Sequence, residues 1–230
     1  MITSDSFYVY IFSWKKVAKN TVDLYNTVSK FFPNTYIINS SKNNKLPIDT
    51  DYQIQLTNDY YYGGQFQTAI NHIPQDKIIG IITGDVVPNS NWRAILKNSI
   101  DALSTDIGIY APNLTNTKHH TGPYRRRLRD SLYHVNNTDC TCWFICPEIY
   151  TSILHIPFYN ISNLGWGIDI ICVQEAWKKD LHVVRDYSVK INQPKGTGYD
   201  REQAYWQMKD LLHYYNNSQN KIDILKQQIK

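Results

Sequence analysis

Residues 7–38 read FYVYIFSWKKVAKNTVDLYNTVSKFFPNTYII, and the architecture follows from their pattern. Phe7 to Phe12 is a continuous apolar run, the mark of a strand buried on both faces, as in a parallel sheet. Val17, Leu24, Tyr25, Val28, Phe31 and Phe32 then recur at helical spacing. Pro33 stops that helix, because its ring clashes with the preceding turn and it has no N–H to give. Tyr36 to Ile38 resumes as a strand. Strand, helix, strand is the opening of a doubly wound α/β sheet.

The alternation continues downstream. Tyr52 to Leu56 reads as a short strand, and Gly63-Gly64 opens a helix to about Asn71. The apolar run Ile78 to Ile82 is a second doubly buried strand, ending in Thr83-Gly84-Asp85. A helix over Trp92 to Leu103 and a strand over Ile107 to Ala111, closed by Pro112, follow. Asn113 to Asn137 has little periodicity and reads as a long loop, a lid over a site. Cys140 to Cys146 is a strand, with a short helix after Pro147. Gly165-Trp166-Gly167 leads into a helix from Ile168 to Lys179, and Leu181 to Arg185 is a last strand. Lys195 to Tyr199 is a glycine loop, and Arg201 to Lys230 is largely helical.

Composition narrows the function. With 42% hydrophobic and 19% charged residues among 230, the chain has the balance of a globular protein with a core. A net charge of +4 is too small to indicate a nucleic-acid partner. The basic cluster Arg125, Arg126, Arg127 and Arg129 reads either as a solvated face or as a phosphate-binding loop. The 18 tyrosines either pack in strands or present faces and hydroxyls to a flat ligand, and Tyr60-Tyr61-Tyr62 stays open between the two. Cys140, Cys142, Cys146 and Cys172 lie in apolar sequence without C-x-x-C spacing, as buried free thiols do; a reducing, cytoplasmic compartment is expected. Met1 to Ser6 lacks a signal-peptide pattern, and no apolar run approaches the ~20 residues that span a bilayer, so a soluble protein is expected.

Ligands of open α/β sheets bind outside the carboxyl ends of the strands. Ser13-Trp14, Asn39-Ser40-Ser41 and Thr83-Gly84-Asp85 all stand at such ends. Each alone reads as a cap or turn; together they outline a nucleotide site. Asp85 is a candidate ligand for Mg²⁺ or Mn²⁺, which prefer hard oxygens and take the rest of their shell from phosphate and water. Asp169 falls in the first turn of a helix, where the N-terminal dipole favours the ionised form that a general base needs. Trp166 offers a flat face to a sugar ring. His119-His120 reads as loop contacts or plain surface, since adjacent residues diverge along an extended chain.

The order of these motifs resembles the GT-A-fold glycosyltransferases, in particular short family-2-like nucleotide-sugar transferases of bacteria and large viruses. The resemblance rests on the β-α-β start, Tyr62-Gly63-Gly64-Gln65, Ile81-Ile82-Thr83-Gly84-Asp85 in the place of a metal-binding Asp-x-Asp, and Gly165-Trp166-Gly167-Ile168-Asp169. It implies a single GT-A-like domain over residues 1–230 with a Rossmann-like half. Residues 1–112 or so would bind the nucleotide sugar, about 113–200 would form the acceptor side with the lid, and 201–230 a helical segment. It implies a UDP-sugar donor held by Ser13, Trp14, Asn39, Ser40, Gly63, Gly64, Thr83, Gly84, Lys195 and Gly196. The acceptor, a glycan, glycoprotein or glycolipid, would meet Trp166 and Gly167, with Asp169 as the base of an inverting transfer. A divalent cation, Mn²⁺ or Mg²⁺, would sit on Asp85. Two departures stand out: Thr83 replaces the first Asp of Asp-x-Asp, and Asn192 takes the place of a C-terminal His ligand. A nucleotidyltransferase making a nucleotide sugar is the competing activity, opposed by the lack of glycine in Ser13-Trp14-Lys15-Lys16; a non-catalytic sugar-binding module is the other alternative.

Overall fold

The computed structural model describes residues 1–41, 45–56, 61–115, 126–194 and 199–228. The strands are β1 (Phe7–Ser13), β2 (Asn34–Asn39), β3 (Gln53–Gln55), β4 (Ile78–Thr83), β5 (Ile107–Thr115), β6 (Arg126–Arg129), β7 (Leu132–His134), β8 (Cys142–Ile145) and β9 (His182–Asn192). The helices are α1 (Ala18–Val28), α2 (Tyr62–His72), α3 (Trp92–Leu103), α4 (Pro147–Ser152), α5 (Phe158–Ile161), α6 (Ile168–Lys178) and α7 (Arg201–Gln228). The described strands form one mixed sheet in the order β3-β2-β1-β4-β8-β5-β9-β7-β6. β1 to β4 are parallel, and β8 runs antiparallel between β4 and β5.

The uninterrupted apolar run of β1 splits by side-chain alternation into the two cores. Phe7, Val9 and Ile11 join Leu24, Val28, Trp92 and Ile95 from α1 and α3. Tyr10 and Phe12 join Phe66, Ile149, Phe158, Ile171, Leu211 and Tyr215 from α2 and α4 to α7. The most deeply buried tyrosines, Tyr10, Tyr110, Tyr150 and Tyr215, are core residues. α7 is clasped to α6 by a polar knot of buried Glu175 and Tyr215 with exposed Lys178, in which Lys178 Nζ donates to Glu175 Oε1 (3.0 Å) and to Tyr215 Oη (2.6 Å), and Tyr215 Oη donates to Glu175.

Three expectations need correction. First, Pro112 does not close β5, which runs on to Thr115. The pairing with β9 shifts register between Pro112 and Asn113, where proline has no N–H to offer, and residues 187–189 loop out. Second, β9 extends to Asn192, which carries Gln193 back to the carboxyl end of β4. Third, the described part of the expected lid includes a hairpin: β6 and β7 pair with each other, and β7 pairs with β9 at the sheet's edge. Its arginines bond main-chain carbonyls, Arg127 Nε to Asp130 O (2.8 Å) and Arg129 to Asp101 O of α3 (3.2 Å). Arg127 and Arg129 thus anchor the edge strands, and the side chain of Arg126 lies outside the described residues. His119, His120 and Arg125 lie outside the described residues.

Behind this edge, the fully buried Asp186 carboxylate accepts from Tyr110, Asn98, Ser131 and both the amide and hydroxyl of Ser188. Burial alone would raise its pKa, but the donors from Ser131, Ser188 and Asn98 outweigh burial and hold it below the ordinary carboxylate value.

Candidate active site

The parallel strands β1, β2 and β4 end side by side, and the residues that follow are stitched together. Ser13 O accepts from the amide and hydroxyl of Ser40 (both 3.0 Å) and from Gln65 Nε2 (2.9 Å). Gln65, in the first turn of α2, also donates to Ile38 O (3.0 Å), so one side chain ties β1 to β2. Asn39 is engaged structurally: its Nδ2 donates to Gln55 Oε1 (2.9 Å), and its Oδ1 accepts from Ser41 N (3.1 Å). Ser13, Asn39 and Ser40 are all buried, and Trp14 is half-buried. The Ser13 hydroxyl has no hydrogen-bond partner among the described residues.

Gly63 and Gly64 are buried in α2. Gly63 faces the chain after α5: a Cβ there would lie 1.9 Å from Ser162 O, and its N–H donates to Asn163 O (2.8 Å). That close approach accounts for the glycine without a ligand.

The turn after β4 is clamped from both sides. Asn20 Nδ2 of α1 donates to Gly84 O (2.6 Å) and Val86 O (2.8 Å), and Gly84 N donates to Phe12 O (2.8 Å). This aims Asp85 at the end of β9. There Gln193 Nε2 donates to Asp85 Oδ2 (3.0 Å), and Gln193 Oε1 accepts from Thr141 Oγ1 (3.1 Å). Thr141 Oγ1 also faces Asp139 Oδ1 (3.2 Å), and Thr83 N donates to Thr141 O (2.8 Å). Asn192, the expected metal partner, is exposed, and its side chain accepts from Thr115. Gln193, one residue on, is the side chain that meets Asp85. Alternation along β9 is the physical reason, since neighbours point to opposite faces.

On the other flank, Gly165 and Gly167 have φ of +85° and +93°, which only glycine adopts freely. A Cβ at Gly165 would press on Tyr62 (2.7 Å), and one at Gly167 on Met208 of α7 (3.0 Å). Both glycines thus serve the turn and its packing. Trp166 between them is half-buried, and its Nε1 donates to Tyr199 Oη (2.6 Å), which fixes the indole edge. Asp169 is half-buried in the first turn of α6. Tyr62 Oη donates to Cys140 O (2.8 Å) and accepts from Trp143 Nε1 (3.0 Å), pinning the loop before β8. Burial, then the Asp169 charge, then Cys172 and Asp139 push the Cys140 thiol well above its usual range, so two carboxylates flank a protonated thiol. Lys195 and Gly196 lie outside the described residues.

Two faces therefore converge at one end of the sheet: the oxygen-rich ends of β1 and β4, and the Trp166–Asp169 turn, joined by the loop 139–141. Among the described residues, no group of three or more His, Cys, Asp and Glu is placed to hold a metal ion. Asp85 Oδ1, Asp139 Oδ2 and Thr83 Oγ1 are inaccessible and without hydrogen-bond partners among the described residues, and each is a hard oxygen of the kind a divalent cation takes. Asn20, Asp139, Thr141 and Gln193 carry no role in the sequence, and Tyr62, Gln65 and Tyr199 stand there only within motifs, without these partners. Their polar atoms meet partners far away in the chain, and the one signal open to inspection was the recurrence of amides and hydroxyls next to strand and helix ends.

No protein-family model matches the sequence, and no curated protein matches it. Solved structures do. A crystal structure of GalNAc-T7 with UDP, GalNAc and Mn²⁺ superposes with a TM-score of 0.60 at 10% identity, over 84% of this chain and 43% of that one. Glucosyl-3-phosphoglycerate synthase from Mycobacterium tuberculosis, in complex with phosphoglyceric acid, gives 0.56 at 10% identity, over 90% and 79%. A UTP-bound UGPase from Acinetobacter baumannii gives 0.51 at 7% identity, over 90% and 93%. This chain spans less than half the length of the GalNAc-T7 structure. At these identities the likeness concerns the fold, and the fold is GT-A-like: a mixed central sheet, flanked by helices, similar to that of GT-A glycosyltransferases.

Proposed function

We propose that the chain transfers a sugar from a nucleotide diphosphate sugar, with UDP favoured as the nucleotide, to an acceptor hydroxyl. The observation that carries this reading is the set of unpartnered buried oxygens of Ser13, Thr83 and Asp85 at neighbouring strand ends, beside a turn that presents Trp166 and Asp169. Buried polar atoms without partners mark a place where a ligand supplies them. The GT-A-like fold supports it, and so does the similarity to a GalNAc-T7 structure containing UDP, GalNAc and Mn²⁺.

In the proposed reaction the acceptor oxygen attacks the anomeric carbon from the face opposite the leaving group. A bond forms from that oxygen to the carbon, the bond from carbon to diphosphate oxygen breaks, and its electron pair leaves with the diphosphate. The acceptor proton passes to the Asp169 carboxylate, and the configuration inverts. Trp166, its edge held by Tyr199, offers its face to the sugar. Asp85 would anchor the divalent cation, which when bound neutralises the charge of the leaving diphosphate. A glycan, glycoprotein or glycolipid is the proposed acceptor class. Among the described residues no helix is long and apolar enough to cross a membrane.

Making a nucleotide sugar from a nucleoside triphosphate is the second reading, favoured by the similarity to a UTP-bound UGPase. Calorimetry with UDP, GDP and TDP, with and without Mn²⁺, followed by turnover of UDP-sugars and of UTP with sugar phosphates, separates the two. UDP binding and UDP release from a UDP-sugar are expected. Pyrophosphate release from UTP would establish the second reading, and no binding by any nucleotide would refute both.

A further inference from the structure

The Asp-x-Asp position offers a single carboxylate, because Thr83 stands where the first would be. One negative charge is a weak anchor for a divalent ion, and the tertiary structure connects a second one to it through Gln193 and Thr141. We propose that Asp139, in the loop before β8, supplies the second carboxylate of the cation site at Asp85, with Gln193 and Thr141 orienting the pair. This rests on the reading of the site as one for a nucleoside diphosphate and a divalent cation.

The two carboxylates stand at the ends of one run of polar side chains, Gln193 and Thr141. Asp85 Oδ2 accepts from Gln193 Nε2 (3.0 Å), Gln193 Oε1 accepts from Thr141 Oγ1 (3.1 Å), and the same hydroxyl faces Asp139 Oδ1 (3.2 Å). Each acid thus has one oxygen beside this run of polar groups, the single Thr141 proton serving either Gln193 Oε1 or Asp139 Oδ1 at a time. The other oxygen of each acid, Oδ1 of Asp85 and Oδ2 of Asp139, is inaccessible to solvent and has no hydrogen-bond partner among the described residues. A buried carboxylate oxygen without a donor is costly, and two of them on one such run call for a positive charge.

The neighbouring hydroxyls point to the same ligand. Thr83, bonded through its N–H to Thr141 O, is 8% exposed, and Thr138, next to Asp139, is 2% exposed; neither Oγ1 has a partner among the described residues. Neutral hydroxyl oxygens beside two carboxylates are the hard donors that Mg²⁺ and Mn²⁺ select, with phosphate and water completing the shell. The loop holding Asp139 is preorganised by the Tyr62 hydroxyl on Cys140 O (2.8 Å) and by Cys140 itself, which turns at φ +55°. An amide that fixes one carboxylate oxygen and leaves the other for the ion is what supporting partners of metal ligands do.

Asp139→Asn tests the assignment, since asparagine keeps an acceptor for Thr141 and removes only the charge. UDP is titrated calorimetrically into the full chain with and without saturating Mn²⁺, and Mn²⁺ binding is followed by electron paramagnetic resonance. The expected result is an Mn²⁺-dependent UDP affinity lower by ~10-fold or more, with metal-free UDP affinity unchanged or higher, because a negative charge near the diphosphate is gone. A purely structural Asp139 would lower both affinities together, and that outcome, or wild-type Mn²⁺ dependence in the variant, overturns the proposal. Should the variant not fold, Gln193→Met breaks the polar run and is expected to weaken Mn²⁺-dependent binding several-fold while sparing metal-free binding; no change there overturns the proposal as well. A wild-type chain that binds UDP without regard to Mn²⁺ refutes the cation site, at Asp85 and Asp139 together, and leaves the nucleotide reading standing. One that binds no UDP under either condition refutes the functional reading beneath it.

Discussion

Replacing Gly63 by alanine separates packing from ligand binding at the start of α2. In an unobstructed helix interior this change adds about 1 kcal/mol of stability, because alanine loses less backbone entropy on folding than glycine. Here the new Cβ would stand 1.9 Å from Ser162 O, 2.9 Å from Ser162 C and 3.1 Å from the Asn163 Cα. These are backbone atoms, so no side-chain rotation relieves the overlap, and the two segments must part by about 1.5 Å to restore ordinary contact. Ser162 O is also the acceptor for Gly165 N–H (2.9 Å), and Asn163 O the acceptor for Gly63 N–H (2.8 Å). Overpacking of this kind costs ~1–3 kcal/mol and a strained or lost hydrogen bond ~1 kcal/mol. Against the gain in helix propensity, a net loss of ~1–3 kcal/mol is expected. Urea unfolding followed by tryptophan fluorescence measures it, with UDP calorimetry on the same samples. A variant as stable as the wild type, or more so, would refute the packing argument; if that variant also lost UDP binding, Gly63 would belong to the donor pocket.

Asp169→Asn should fold and bind UDP normally yet transfer sugar ~10²-fold more slowly, the scale of a lost general base; wild-type turnover, or retention of the anomeric configuration by product NMR, would refute it. Asp186→Asn should lose on the order of 3 kcal/mol, because the amide group turns a donor toward donors from Tyr110, Asn98, Ser131 and Ser188. Since the folded pKa of Asp186 lies below its ordinary 3.8, its contribution is complete above that value and is lost as pH falls through the lowered one. Urea midpoints measured down through this acid range should therefore drop more steeply for the wild type than for Asp186→Asn, and parallel curves would contradict the assignment. Gln65→Leu removes the two bonds that join Ser13 O and Ile38 O, and should cost ~1–3 kcal/mol and weaken UDP binding; unchanged urea midpoints would show that the tie carries no stability.

The β-α-β start, the doubly buried strands β1 and β4, and the helices α1 and α3 could be read from the chain because each obeys a local period, and burial on both faces demands uninterrupted apolar runs. The same locality placed Ser13, Asn39, Asp85, Trp166 and Asp169 at the ends of elements. The hairpin β6–β7 was illegible because an edge strand need not be apolar, and Arg126-Arg127-Leu128-Arg129 carries no alternation against the helical or loop readings. The run of β5 through Pro112 was hidden for a related reason: a proline is compatible with a strand where the partner bulges, and the partner, β9, lies far along the chain. At the site, sequence by itself determined which residue types stand at the strand ends; tertiary structure decided which of them meet. Gln193 reaches Asp85 across 108 positions, and Thr141 reaches Gln193 across 52. Asn192 and Gln193 are equal candidates as letters, and strand alternation together with the register of β9 on β5 separates them. Hydrogen bonds between side chains act only within about 3 Å. No local pattern encodes such pairings, which exist once the sheet has closed β4, β8 and β9 around the same point.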